Sequence, residues 1–187
     1  MFNSTLVAEN CILKEVAPQY FGHIIEWRNN AQYNKYLNQP FVLTLEAQSS
    51  WYERYVKDGR SKLYIFIDIH GTPFGTIGVK QIDLERKSAE FGNYLIIESH
   101  QGSMEMLEGL VKFLEECFEE LNLLYGSVSK DNKKSIKFCR KMGFVTGSKK
   151  DFPFQEAQET RDDLVAVSLT KADFYDSEVY RLAKERL

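Results

Sequence analysis

Asn132-Lys133-Lys134-Ser135-Ile136-Lys137-Phe138-Cys139-Arg140-Lys141-Met142-Gly143-Phe144 is the stretch on which the fold turns. A short apolar, strand-like run, Leu123 to Val128, precedes it. Asn132 stands where a helix N-cap belongs, and its side-chain oxygen suits the first free amides of a helix. Arg140 and Lys141 fall in the last turn, where cations complement the negative end of the helix dipole. Gly143 stands just past the end, the place for a residue that stops a helix. The pattern predicts a strand, a helix and a glycine-terminated stop, in that order.

Working outward, residues 11 to 16 read as a first strand, and Pro18 suits the first turn of a helix running to about Arg28. A short second helix covers Ala31 to Leu37, before Pro40. Thr44 caps a third through Lys57, which Asp58-Gly59 stops. Lys62 to His70 alternates as a strand, Gly71-Thr72-Pro73 is turn chemistry, and Phe74 to Ile82 returns as its partner. Ser88 to Ile97 is a third strand of this group. Met104 to Leu121 has apolar residues at helical spacing (Met106, Leu107, Leu110, Val111, Leu114, Cys117, Phe118, Leu121), with the glutamates outside. Val145 to Lys150 and Leu164 to Leu169 read as closing strands, and Ala172 to Leu187 as one amphipathic helix. The sum is an α/β (α+β) chain: a mixed, mostly antiparallel sheet of about seven strands with helices on its faces.

The chain has 187 residues, a length suited to one domain with a real core, and a net charge of −3 with both signs interspersed. That balance gives no basic footprint for nucleic acid. Three cysteines, Cys11, Cys117 and Cys139, have no metal-like spacing and read as reduced thiols, which points to the cytoplasm and to no metal. No apolar run reaches membrane-spanning length, and residues 1 onward show no charged-then-apolar leader pattern, so no membrane is expected.

The Asn132–Phe144 segment resembles the last helix of the GCN5-related N-acetyltransferases (GNAT), N-x-x-A-x-x-x-Y-x-x-x-G-F. Asn132, Ser135, Gly143 and Phe144 fit, with Ser for Ala and Cys139 at the Tyr position. The element order matches that fold over about residues 10–170, within a single domain of 1–187, with 171–187 as an additional C-terminal helix. That helix covers the sheet or meets a second subunit, so a homodimer is admitted.

The resemblance implies acetyl-CoA as co-substrate and no metal. The family's phosphate-binding turn, Q/R-x-x-G-x-G/A, aligns here with Gln101-Gly102-Ser103-Met104-Glu105-Met106. The register counts back from Phe118-Glu-Glu-Leu-Asn122. Met104 and Met106 take the places of small residues, and Glu105 adds a negative charge where phosphates are expected. The implied cofactor contacts are Gln101, Gly102, Ser103, Met104, Asn132 and Ser135, with the backbone of Leu95, Ile96 and Ile97 for the acetyl end. Gly92 suits a break in strand pairing there.

Attack of an amine on a thioester needs a base for the amine and an acid for the leaving thiolate. Cys139 holds the family's acid position; its other reading is a small buried residue on an apolar helix face. Glu90, mid-strand among apolar residues, is the candidate base; its other reading is an exposed or ion-paired glutamate. With period two, Glu90, Gly92 and Tyr94 share a face. The three histidines read as structural or exposed.

The acceptor side reads Glu26-Trp27-Arg28-Asn29-Asn30, then Trp51-Tyr52, then Glu90-Phe91-Gly92-Asn93-Tyr94. It looks like the branch that acetylates amines of nucleotide-linked sugars, of the pseudaminic-acid pathway type, or the N-termini of ribosomal proteins. The implied substrate-binding residues are Trp27, Arg28, Asn29 and Tyr94. Arg28 suits a phosphate or carboxylate, whereas Trp27 also reads as core. Three functions follow: acetyl transfer to a nucleotide-linked amino sugar, acetyl transfer to a protein N-terminus or polyamine, or a GNAT-fold binding protein with weakened catalysis.

Overall fold

The computed structural model describes residues 2–37, 39, 41–147 and 163–185. Eight strands form one sheet: β1 (Thr5–Val7), β2 (Cys11–Glu15), β3 (Lys62–Asp68), β4 (Pro73–Asp83), β5 (Ser88–Ile96), β6 (Leu123–Ser129), β7 (Val145–Gly147) and β8 (Leu164–Thr170). Their order is β1-β2-β3-β4-β5-β6-β8-β7. β5 and β6 run parallel, while β1–β2, β2–β3, β3–β4, β6–β8 and β7–β8 are antiparallel. The helices are α1 (Phe21–Asn29), α2 (Ala31–Asn34), α3 (Leu45–Asp58), α4 (Met104–Glu120), α5 (Lys133–Lys141), α6 (Lys171–Tyr175) and α7 (Glu178–Lys184). By contact the chain divides into two compact units, residues 1–81 with 92–113, and residues 82–91 with 114–187.

In the first unit, α1 and α3 lie over a core of Val16, Phe21, Ile24, Leu43, Tyr55, Leu63, Ile65 and Ile67. Pro18 opens a 3-10 turn, Pro18–Tyr20, and α1 follows it. Thr44 caps α3 by accepting from the Ala47 N–H, and Gly59 ends it in the left-handed region (φ 64°). Tyr55 ties α3 to the sheet: its hydroxyl donates to Glu15 (2.7 Å) and accepts from the Leu63 N–H (3.2 Å). β3 stops at Asp68 because that carboxylate accepts from the His70 and Thr72 amides, 2.8 Å each, and closes the turn.

Two expectations change in this unit. A strand, β1, precedes the first one expected; it has three residues with only Leu6 buried, too short to show alternation. The glutamates of the long helix are not all outside. Glu108 is buried and accepts from the Asn10 N–H and side-chain amide, 2.8 Å each, so the hairpin before β2 satisfies it. Glu116, in the second unit, is buried too.

The second unit packs Phe118 on Phe174 (ring centroids 5.5 Å) and Phe91 on Phe144 (5.4 Å). Asn132 caps α5 as its sequence implies, accepting from the Ser135 N–H at 3.1 Å. Gly143 adopts φ +91°, and a Cβ there would lie 2.5 Å from the Asp173 carbonyl oxygen. The expected single C-terminal helix is two. α6 ends at Tyr175, and Ser177 starts α7 by accepting from the Tyr180 N–H at 3.1 Å. Phe174, Val179 and Ala183 are buried across the break, so apolar spacing carries on through it and hides it. The strand from Val145 is described only to Gly147; residues 148–150 lie outside the described residues.

Candidate active site

A cavity of about 410 Å³ opens in the first unit, between α1, residues Gln39, Phe41 and Leu43, α3 and the sheet, within the size range of small-molecule sites. Ile24, Leu43, Ala47 and Leu63 give it apolar walls. Its polar lining includes Arg28, Gln48, Arg54, Thr76 and Asn93, with Trp51 beside them. No carboxylate lines it among the described residues. Arg28 donates from Nε to Gln39 at 2.7 Å and has no ion-pair partner among the described residues. Burial alone pulls its pKa below the ordinary guanidinium value. Gln48 is 4% exposed, and its amide nitrogen has no hydrogen-bond partner among the described residues. Such an orphaned group costs about 1–3 kcal/mol, which a structural residue rarely carries.

The other residues expected at the acceptor side lie elsewhere. Trp27 is buried at 5% exposure beside His23 and does not line the cavity. Asn29 clamps Leu43: its amide donates to the Leu43 carbonyl and accepts from the Leu43 N–H, 2.8 Å each. Tyr94 is half-buried with its ring against Phe66 (6.5 Å). Asn93 holds a left-handed backbone (φ 51°), so the alternation that groups Glu90, Gly92 and Tyr94 does not run unbroken. The irregularity sits at Asn93 rather than Gly92. Its carbonyl accepts from Thr76 at 2.6 Å.

The turn before α4 also belongs to the first unit. Gly102 adopts φ +83°. The turn's amides are already engaged: Gln101 and Ser103 donate to the carbonyls of Glu98 and His100, 3.2 Å each, and the Gly102 N–H faces the Met106 sulfur at 3.4 Å. Ser103 caps α4 by accepting from the Met106 N–H at 3.2 Å. The Glu105 carboxylate is held below its usual range, first by its own backbone N–H and then by Ser103. The Gln101 side chain donates to the Ile96 carbonyl at 3.0 Å. α2 reaches this turn through Gln32, which donates to Glu98 at 2.9 Å. Met104 is half-buried and Met106 buried at 7% exposure. Leu95 and Ile96 are buried, and the Ile97 N–H donates to Phe74 at 3.0 Å.

In the second unit, the parallel register of β5 with β6 covers only Ser88–Glu90 against Leu123–Tyr125. Glu90 is buried at 6% exposure, and its charge helps raise the pKa of Tyr125 after burial itself. Cys139 is 5% exposed, and burial pushes its thiol up to about 11. Ser135 is half-buried in the first turn of α5, and its amide is held by Asn132.

A sequence model described as an acetyltransferase (GNAT) domain matches residues 10–145. The chain belongs to the GNAT acetyltransferase family. No curated protein sequence matches it. Among solved structures it is similar to the spermidine N-acetyltransferase of Vibrio cholerae in complex with CoA and spermine. That likeness has 18% identity and a TM-score of 0.73, covering 88% of this chain and 98% of that one. It is also similar to apo FdhC, a nucleotide-linked sugar GNAT, at 19% identity and a TM-score of 0.74, covering 97% and 98%. At these identities the structures agree in fold.

As a GNAT enzyme the chain carries out acetyl transfer from acetyl-CoA, which brings the acetyl thioester and departs as the thiol. The turn before α4 fits a diphosphate on one condition. The Gln101 and Ser103 amides are spent on backbone carbonyls, so the donors left for phosphate oxygens are the Gly102 N–H, now facing a thioether that is a weak acceptor, and the Glu105 N–H, now facing its own carboxylate, and both of those partners must yield. Among the described residues no cluster of side chains suits a metal ion, and no helix is long and apolar enough to cross a membrane.

Sequence reasoning missed Gln48, Arg54 and Gln39. Gln48 left a trace: it stands three residues before Trp51 and seven before Tyr55, on the face of α3 turned to the core. A glutamine on that face needs a reason to be there.

Proposed function

We propose that the acetyl group goes to a primary amine on a nucleotide-linked amino sugar held in the cavity of the first unit. The observation that carries this reading is the sign of the cavity's charge: Arg28 and Arg54 line it, and no described carboxylate does. A polyamine or a protein N-terminus is a cation and needs acidic groups to hold it. A nucleotide sugar brings phosphates, which guanidinium groups grip in a planar, two-point fashion. Trp51 and Phe41 add aromatic surface for a sugar or base.

In this reading Glu90 accepts the proton that the amine must lose. Cys139, protonated across the physiological range because burial raises its pKa to about 11, protonates the leaving sulfur. Gln101, Gly102, Ser103 and Met104, with Asn132 and Ser135, hold the coenzyme, and the β5 backbone at Leu95–Ile97 faces its acetyl end. The direct test is coenzyme thiol release with a panel of amines. A UDP-linked amino sugar is expected to be turned over; spermidine and a peptide N-terminus are not. Turnover confined to spermidine refutes the reading.

A further inference from the structure

The orphaned amide of Gln48 has a use that the cavity itself suggests. Gln48 is one of the lining residues, is 4% exposed, and its nitrogen has no partner among the described residues. Its backbone is fixed, the N–H donating to Thr44 at 2.9 Å within α3. The last side-chain torsion of a glutamine is broad and two-fold, and the amide's two ends have nearly the same shape. A half-turn therefore exchanges nitrogen and oxygen at little steric cost. The occupant of the cavity decides which end it meets.

Arg28 favours one choice. Its Nε is tied to Gln39 at 2.7 Å, and Gln39 is itself held by donating to the Phe41 carbonyl at 3.0 Å. That tether fixes the guanidinium plane while leaving its terminal nitrogens, for which no partner occurs among the described residues. A planar pair of charged donors beside a neutral one matches an anionic group with several oxygens. Arg54 contributes a second positive charge to the lining.

We propose that Gln48 and Arg28 together clasp an oxyanion of the acceptor, a phosphate of the nucleotide-linked sugar, and that Gln39 positions Arg28 for it. This inference rests on the acceptor reading above and sharpens it. Gln48 becomes a specificity-determining residue: with its NH2 end turned to the anion it adds a neutral donor to the Arg28 charge, and that charge repels an ammonium group whichever end of the amide it meets.

The test is calorimetric binding to the full chain, saturated with coenzyme A, using UDP, glucuronate and spermidine as probes. Wild type is expected to bind UDP, and glucuronate and spermidine at least tenfold more weakly. Gln48→Leu, of similar size and without polar atoms, should weaken UDP at least tenfold while leaving coenzyme A affinity and Tm at or above wild type. Gln48→Glu should abolish UDP binding by placing a carboxylate against the anion. Gln39→Leu should weaken UDP less than Arg28→Gln does. Unchanged UDP affinity in Gln48→Leu overturns the clasp. Binding of glucuronate in preference to UDP overturns its assignment to phosphate. The two readings fail separately. If a UDP-linked amino sugar is acetylated with the same KM in wild type and Gln48→Leu, only the clasp falls. If UDP does not bind wild type and spermidine is acetylated, the acceptor reading falls with it.

Discussion

Cys139 poses the chemical question at the scale of one residue. Burial pushes its thiol up to about 11, so it stays protonated wherever the enzyme works, as an acid must. Cys139→Ala should lower kcat about 10²-fold, the usual range for an acid–base group, with Tm nearly unchanged; stopped-assay kinetics with acetyl-CoA check it, and an unchanged kcat removes the thiol from the chemistry. The side chains at this scale were unequally legible. Arg28 stood out because the Trp27-Arg28-Asn29 run looks like the family's acceptor side and a guanidinium suits a phosphate or carboxylate. Asn29 stood out with it, yet both ends of its amide are spent on Leu43. Gln48 did not stand out, since a single glutamine in an amphipathic helix looks like surface until burial is known. Polarity is written in the sequence; whether a polar group has found a partner depends on residues far along the chain.

At the scale of the element, α4 does two jobs that compete. Its buried side is packed so closely that Gly109 has no room for a side chain: a Cβ there would lie 2.6 Å from Phe66 and 2.8 Å from the Cys11 sulfur. Gly109→Ala gains about 1 kcal/mol of helix propensity but loses about 1–3 kcal/mol to overpacking, so thermal unfolding should show a lower Tm. A raised Tm would mean that the strand yields easily. At its N-terminus the helix holds its own anion, Glu105, where the proposed coenzyme site would put the phosphates. Glu105→Gln should tighten acetyl-CoA roughly threefold by removing a like charge from the dipole's positive end, as titration calorimetry would read; weaker binding would place the phosphates elsewhere. Elements with a strong period, such as α4, were readable to within a residue. β1 was not, because three residues show no period, and the α6–α7 break was not, because the apolar spacing passes through a serine cap.

At the scale of the whole molecule, the three thiols are all buried, and burial raises each. Cys11 rises to about 12, with Glu108 and Glu105 adding to the effect, Cys139 to about 11, and Cys117 well above the ordinary 9.0. The folded state therefore keeps these protons to higher pH than the unfolded chain does. The stability they contribute is present below pH 9 and is lost as pH rises through 11 to 12. Urea unfolding at stepped pH should show the midpoint falling above pH 9, and a thiol reagent at pH 8 should find the native thiols slow to react. A flat midpoint to pH 11 would contradict this.

The fold was legible in the Asn132–Phe144 segment and the order of elements, because both are local patterns, and the use of acetyl-CoA followed from the family resemblance that they carry. The acceptor cavity was legible only in part, because its two positive charges come from separate helices, α1 and α3, and show no sign in a net charge of −3. Coenzyme thiol release with a UDP-linked amino sugar and with spermidine at equal concentration, in wild type and Arg28→Gln, tests the central claim most directly. The sugar is expected to be turned over, with kcat/KM lost at least tenfold on removing the Arg28 charge, and spermidine is not. Turnover of spermidine by the wild type, or turnover of the sugar unchanged in Arg28→Gln, contradicts the claim.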